Sequence, residues 1–428
     1  MVLQYVACVW RVSTSYDFIQ LAEVSLHLKI LMFGWEFPPF FAGGVGMVCY
    51  ELTKQLASLG VDIEYVMPFA PDHLNPQFLN VTDASRYVSK EEAASMQHLN
   101  VTKVRGLLAA YQTQEEYEHT LTSLSETKHG PRTPTTRDNT RKLYGENLLD
   151  EIDLFAQRVA VMVEQGVFKD FSVIHAHDWT TVPAAAVVKR MTGKPLIVHV
   201  HITEFNKNGG AGANPQVYEV ERQGFFAADK IVTVSHAIKN TLIEHYGVPA
   251  ERIVVVHNGN VKMSPVQHSG KDFKGQDKVV SYLGRVTGMK GPENFVEMAT
   301  RVLQHCPNTK FVMGGTGDKL QACIDKAKAA GVYDRFYFHG FYSRQDADFF
   351  YDISDVFVLP SLMEPFGVTP LEAMIKDTPT IVTKQSGVSE VLKHVFKVDF
   401  WDVNKMAAQV INLLTYPILH KTMTTNGR

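Results

Sequence analysis

A chain of 428 residues with 45% hydrophobic and 11% aromatic content is long enough to bury two cores, so two domains are expected. The formal net charge of -3 argues against a general nucleic-acid or anionic-membrane surface, and no apolar run approaches the roughly 18 residues of a membrane helix. Cys8, Cys49, Cys306 and Cys323 are scattered without a CxxC, which argues against a disulfide framework or zinc knuckle and fits a reducing, cytoplasmic setting.

Residues 1–27 carry an apolar stretch, Val2 to Trp10, with no basic cluster before it and no small-residue cleavage site after it. They read as an appended segment outside the fold, and not as a signal peptide. From Lys29 apolar runs alternate with amphipathic helical stretches, the pattern of βαβ units and parallel sheets. Lys29 to Trp35 is the first strand; a glycine turn, a helix from about Val45 to Leu59 and a strand from Ile63 to Pro68 follow. Regularity fails between about Asp72 and Lys142, and 112–141 reads as a polar, mobile insertion. Beyond it come a helix from about Asn147 to Glu164, strand Ser172–His177, a helix near Val182 to Met191 and strand Leu196–His201. A helix ending near Ala228, strand Lys230–Ser235, helix His236–Tyr246 and strand Arg252–His257 complete a first domain set at 28–265.

Residues Met263 to Gln276 lack periodicity and read as a hinge. The second domain, 275–428, shows strands Val279–Gly284, Lys310–Gly314, Arg335–His339, Val356–Pro360 and Thr380–Thr383, each followed by a helical segment, the last near Val388 to His394. A short segment Lys397–Phe400 and a helix Val403–Leu414 come after. The fold class is therefore α/β: two Rossmann-like, doubly wound parallel sheets, with a ligand cleft expected beyond their strand ends.

Several constellations fall at those strand ends. Gly43-Gly44-Val45-Gly46 lies between the first strand and its helix, where glycine allows close backbone approach and free amides favour phosphate. Its spacing is neither GxGxxG nor a Walker loop, which disfavours NAD or ATP. Arg285 and Lys290 flank a glycine turn before a helix beginning at Pro292, and two cations there suit a diphosphate. Glu364 sits on a turn after strand Val356–Pro360, and Glu372 lies eight residues later in a helix's first turn, where Thr369-Pro370-Leu371-Glu372 also fits a capping box. Carboxylates only accept hydrogen bonds, so this pair suits a polyhydroxylated ligand.

His175/His177 and His199/His201 each share a sheet face by alternation, which raises a zinc site. No cysteine matches them in sequence and the phosphate loops suggest other chemistry, so no metal is expected; Asp178 and His201, at the extreme ends of their strands, are the candidates for the cleft. Asp346-Ala347-Asp348 matches the metal-binding DxD only superficially, because it opens a helix after Ser343, where acids favour the dipole.

Taken together, Gly43-Gly44-Val45-Gly46, His175-Ala176-His177-Asp178-Trp179, His199-Val200-His201, Val256-His257-Asn258-Gly259, Arg285 with Lys290 and the Glu364/Glu372 pair resemble the retaining glycosyltransferases of family 4. The likeness is greatest to the glycogen/starch-synthase-like branch of that two-Rossmann-domain (GT-B) type. The resemblance implies transfer of a sugar, glucose foremost, from UDP- or ADP-glucose to a glucan-like or other sugar acceptor, with neither cofactor nor metal. It implies that Arg285, Lys290 and amides near Gly43 and Gly44 hold the donor phosphates and that Glu372 binds ribose. Glu364 would lie by the transferred sugar, His201 near its reacting carbon, and Asp178 on the acceptor side. That fold commonly ends in a helix crossing back to the first domain, which the sequence pattern does not show. Asn260, too, stands where such enzymes usually carry an apolar residue. The alternatives are a nucleotide-sugar epimerase on the same scaffold and a non-catalytic sugar-nucleotide-binding protein; acceptor-dependent release of nucleoside diphosphate separates them.

Overall fold

The computed structural model describes residues 28–38, 44–70, 74, 76–87, 148–207, 212–260 and 274–427. The appended segment 1–27, the insertion 112–141, Gly43 and most of the expected hinge lie outside these. The described chain divides into two compact units, one within Met1–Thr203, Ala213–Thr233 and Lys239–Val256, the other within Glu204–Gly212, Val234–Ile238 and His257–Arg428.

The first unit holds a seven-stranded parallel sheet ordered β3-β2-β1-β4-β5-β6-β7. Its strands are β1 (Lys29–Phe33), β2 (Asp62–Met67), β3 (Asn80–Asp83), β4 (Val173–His177), β5 (Leu196–Val200), β6 (Lys230–Thr233) and β7 (Ile253–Val255). Helices α1 (Gly44–Ser58), α2 (Leu148–Glu164), α3 (Val182–Thr192), α4 (Glu204–Lys207), α5 (Pro215–Ala227) and α6 (His236–Tyr246) intervene. Strands β4 and β5, in the middle of the sheet, are buried at every residue. Parallel strands covered on both faces need continuous apolar runs, and these two meet that demand while spending alternate positions on histidine. Helix α1 turns Cys49, Leu52, Thr53 and Leu56 inward at helical spacing, so one face joins the core built on Ile30, Met32, Ile63 and Tyr65.

The second unit holds a six-stranded parallel sheet ordered β10-β9-β8-β11-β12-β13. The strands are β8 (Lys278–Leu283), β9 (Thr309–Gly314), β10 (Phe336–Gly340), β11 (Val356–Leu359), β12 (Thr380–Thr383) and β13 (Phe396–Val398). Helices α7 (Pro292–His305), α8 (Leu320–Ala329), α9 (Arg344–Ile353), α10 (Thr369–Ile375), α11 (Val403–Thr415) and α12 (Pro417–Asn426) surround it. Phe295, Val296, Met298, Ala299 and Val302 of α7 pack on Val280, Phe311 and Met406 to form its centre. Both orders place the first strand of the unit inside the sheet with crossovers to either side, the doubly wound arrangement.

Three expectations about elements need correction. β3 lies inside the stretch read as irregular; its residues, Asn-Val-Thr-Asp, carry almost no apolar signal, and pairing with β2 makes it a strand. The segment expected as a helix from Val388 to His394 is a single 3-10 turn, Gly387–Glu390. The chain does continue past α11: α12 starts at Pro417, in the first-turn position proline favours, and lays Leu419 and Met423 on the second core. His420 Nε2 lies 3.0 Å from the carbonyl of Asp355 and fixes that helix further.

Candidate active site

In the first unit the register of β4 against β5 sets His177 beside His199, with His175 two residues back and His201 two residues on. Both histidine pairs therefore lie on one face. Ring centroids are 4.3 Å apart for His175–His177 and again for His199–His201, and 5.2 Å apart for His177–His201. His177 Nδ1 and His201 Nε2 face each other at 2.9 Å, one donating and the other accepting. All four rings are buried.

Burial lowers every one of these imidazoles. His175, His177 and His199 stand well below the ordinary 6.5, first through desolvation and then through the neighbouring rings. Desolvation lowers His201 as well, against the opposing pull of the Asp178 carboxylate. Near neutral pH the cluster is uncharged, so His201 has one donor and one acceptor to offer.

Asp178 follows β4 directly and adopts φ of 57°, the left-handed region that a residue with a Cβ enters at a cost. The turn aims its carboxylate back at β5: Oδ1 accepts the amide of His201 at 2.6 Å and that of Ile202 at 3.4 Å. Thr181 Oγ1, bonded to the His177 carbonyl at 2.8 Å, closes the turn. Asp178 thus holds the backbone of His201, a duty that its position at a strand end did not suggest.

The fold also supplies a cysteine where the sequence showed none to match. Cys49 from α1 brings a ligand atom within 4.8 Å of those of His177 and His201. Burial pushes its thiol far up; a hydrogen bond with Tyr65 opposes this, and the carboxylates of Asp178 and Glu36 add to the rise. Gly44, Val45 and Gly46, expected between the first strand and its helix, instead form the first residues of α1; Gly44 is exposed there, and a Cβ on it would meet nothing within 4 Å.

In the second unit the loop after β8 carries Arg285 and Lys290. Lys290 ends a 3-10 turn, and Gly291 then takes φ of 64° to cap α7, whose first residue is Pro292 as expected. A Cβ at Gly291 would come within 2.2 Å of the Pro360 carbonyl, so the loop needs glycine both for its backbone and for its neighbour. That close approach continues: the Leu362 amide donates to the Met289 carbonyl at 2.9 Å. The loops after β8 and β11 are zipped together, which brings Lys290 Nζ to 2.5 Å from Glu364 Oε2. Ser361 Oγ donates to the same carboxylate oxygen at 3.3 Å. Glu364 is 7% exposed, and a bridge to Ser386 anchors its backbone.

The resemblance gives Lys290 to phosphate and Glu364 to the sugar; the fold joins them as an ion pair. Glu372 differs from expectation. Helix α10 has Val368 as its N-cap and no side-chain cap bond, so the Thr369–Glu372 capping box does not form. Instead Glu372 is gripped by Arg344 and accepts from Tyr351 Oη at 2.9 Å. Neither partner is signalled in sequence, because both reach it from α9, a different βα unit. Tyr282 completes the neighbourhood. Its hydroxyl donates to the Arg285 carbonyl at 2.6 Å, and it is raised by burial, then by Tyr342, Cys323 and Glu364, with Arg285 opposing. In the DxD look-alike, Asp346 forms a capping box with Ser343, whose amide donates to Asp346 Oδ2 at 2.8 Å.

Chemically, the second unit offers cations and hydroxyl-accepting carboxylates at the ends of adjacent strands, and the first a neutral histidine with a fixed backbone. Among the described residues no helix is long and apolar enough to cross a membrane.

Comparison with known proteins agrees with both halves. Residues 29–254 match the starch synthase catalytic domain family and residues 264–428 the glycosyl transferases group 1 family. The chain is 25% identical to a glycogen synthase of Mycobacterium tuberculosis over 378 residues, 85% of this chain and 80% of that one. Its fold is similar to that of sucrose-phosphate synthase from Thermosynechococcus elongatus, with a TM-score of 0.68 at 17% identity, covering 94% of this chain and 93% of that one. It is also similar to Anabaena HepE, solved in complex with UDP-glucose, with a TM-score of 0.62 at 17% identity and the same coverage of 94% and 93%.

Proposed function

Because the chain belongs to the glycosyltransferases of GT-B fold, with a starch synthase catalytic domain over residues 29–254 and a group 1 domain over 264–428, we propose that its donor is UDP- or ADP-glucose. The glucosyl group goes to a glucan-like or other sugar acceptor with retention of anomeric configuration, with no metal needed at the leaving group, in the cytoplasm. The observation carrying this reading is the zipped pair of loops that sets Lys290, from the same loop as Arg285, on Glu364.

Breaking the sugar–phosphate bond builds negative charge on the departing diphosphate. Preorganised cations stabilise that charge where it develops, and Arg285, Lys290 and the start of α7 supply positive potential. When phosphate arrives, Lys290 shares its charge between the diphosphate and Glu364, which orders the Glu364 carboxylate toward the sugar hydroxyls. Glu372, held by Arg344 and Tyr351, presents a fixed acceptor to the ribose. His201 contacts the transferred sugar as a neutral imidazole, with Asp178 holding its backbone.

The test incubates the full chain with UDP-glucose and ADP-glucose separately, with and without a glucan acceptor. Release of nucleoside diphosphate should rise with acceptor, persist in EDTA, and give an α-linked product. A sugar changed at one carbon without acceptor would establish an epimerase instead, and binding without release a sensor.

A further inference from the structure

The fold gathers a donor set in which neither Cys49 nor His177 is given a phosphate or sugar contact. Cys49, His177 and His201 offer one sulfur and two nitrogens, all within 4.8 Å of one another and all buried. From α1, β4 and the end of β5, they converge on one face of the sheet. His177 contributes a second, independent oddity. Its Nε2 is buried with no hydrogen-bond partner among the described residues, although a buried ring nitrogen ordinarily has one. His177 also belongs to a further close set with His175 and His199.

We propose that Cys49, His177 and His201 form a binding site for a zinc ion, and that its occupancy inhibits the enzyme. The ligand types choose the ion. One thiolate and two imidazoles suit zinc and disfavour magnesium or calcium, which take oxygen ligands. Zinc–sulfur and zinc–nitrogen bonds of about 2.3 and 2.0 Å in a tetrahedron put ligand atoms about 3.3–3.6 Å apart, so small rotations bring these three into place. The 2.9 Å contact between His177 Nδ1 and His201 Nε2 opens to admit the ion. Cys49 gives up its thiol proton to solvent as the sulfur–zinc bond forms, and the nearby Asp178 and Glu36 carboxylates offset the added charge. With three protein ligands the fourth position stays open. The rings of His175 and His199 pack against that of His177, with centroids 4.3 and 5.3 Å away.

Inhibition rests on the reading of His201 given above: a nitrogen bound to zinc is no longer available to the donor sugar. Metal dependence at the leaving group and metal binding here are thus separate matters, one expected absent and the other expected to suppress turnover.

Cobalt(II) serves as the spectroscopic probe on the full chain stripped of metal with EDTA and then freed of the chelator. One cobalt per chain should produce a thiolate-to-cobalt charge-transfer band, which zinc abolishes by displacement. Cys49→Ser should lose the band and weaken zinc binding by roughly tenfold to a hundredfold, the scale seen for altered metal shells. It should keep basal transfer activity while becoming far less sensitive to zinc. Zinc should raise the melting temperature of the parent protein and not that of Cys49→Ser. If Cys49→Ser fails to fold, His177→Gln replaces it in the binding and melting measurements. Absence of a thiolate band, or zinc affinity equal in parent and variant, overturns the site. Binding without loss of turnover overturns the inhibitory role. Cobalt binding by a protein with no transferase activity would instead count against the proposed function and leave the site standing.

Discussion

At the ends of β4 and β5 the first unit gathers four imidazoles and a thiol in a dry interior, whereas the loops after β8 and β11 in the second gather opposite charges. Both clusters lie at or just beyond the ends of strands near the middle of a parallel sheet. They differ because burial acts differently on their groups. An imidazole or thiol can shed its charge and be buried whole, whereas Lys290 and Arg344 are each paired with a glutamate. The first cluster is therefore vulnerable to protonation, the second to loss of one partner.

Acidification separates them most strongly. The native values of His175, His177 and His199 lie below 6.5, so above 6.5 neither folded nor unfolded chain holds the proton and these groups cost nothing. As pH falls below 6.5 the unfolded chain takes up protons that the native first unit refuses, and stability drops. In the second unit the Asp346 carboxyl, lowered chiefly by Ser343, and that of Glu297, lowered chiefly by Arg301, act in the opposite sense. Their contribution is present above the ordinary 3.8 and 4.5 and is lost only as pH falls below those values through the depressed native ones. Amide exchange at pH 5.5, corrected for intrinsic rates, should show β4 and β5 losing protection before β8 and β11. Simultaneous loss would break the contrast.

Removing a cation comes next. Arg285→Ala or Lys290→Ala should lower turnover roughly a hundredfold, about 2.7 kcal/mol of transition-state stabilisation. Lys290→Ala should also destabilise the second unit, because Glu364 is left buried without its counter-ion. Steady-state kinetics beside urea denaturation reads both effects. Unaltered turnover in the two variants would remove the phosphate assignment.

The two glutamates sharpen the comparison further. Glu364→Gln should cost about 1–2 kcal/mol of stability, since Lys290 loses its partner in a half-buried place, and should still lower turnover per folded molecule about tenfold. Glu372→Gln should weaken donor affinity more than turnover and cost about 1 kcal/mol through the lost charge on its bonds to Arg344 and Tyr351. Equal kinetic profiles for the two would show that they do not divide sugar from nucleotide.

The smallest effect belongs to the capping pair. Asp346→Ala should cost about 1 kcal/mol as the box with Ser343 is lost, and should leave turnover and its indifference to EDTA unchanged. Lost activity restored by manganese would make the DxD a metal site after all.

Much of this molecule follows from local pattern. Strands β8 to β12 of the second sheet and Pro292 at the start of α7 were legible because apolar runs and proline act through neighbours in the chain, whereas β13 was read only as a short segment. β3 and α12 were not, since Asn80–Asp83 and Pro417–Asn426 become a strand and a helix on surfaces made elsewhere. The candidate residues were likewise found singly, by type and by position at strand ends. Their partners were not. Alternation put His175 with His177 and His199 with His201, but only the register of β4 on β5 put all four on one face, and only α1 set Cys49 against them. The capping box at Glu372 was a reasonable local reading that lost to Arg344 and Tyr351, which arrive from another helix. Local sequence fixes what a backbone segment prefers; desolvation and charge pairing depend on what is packed across from it, and that is decided when the sheet closes.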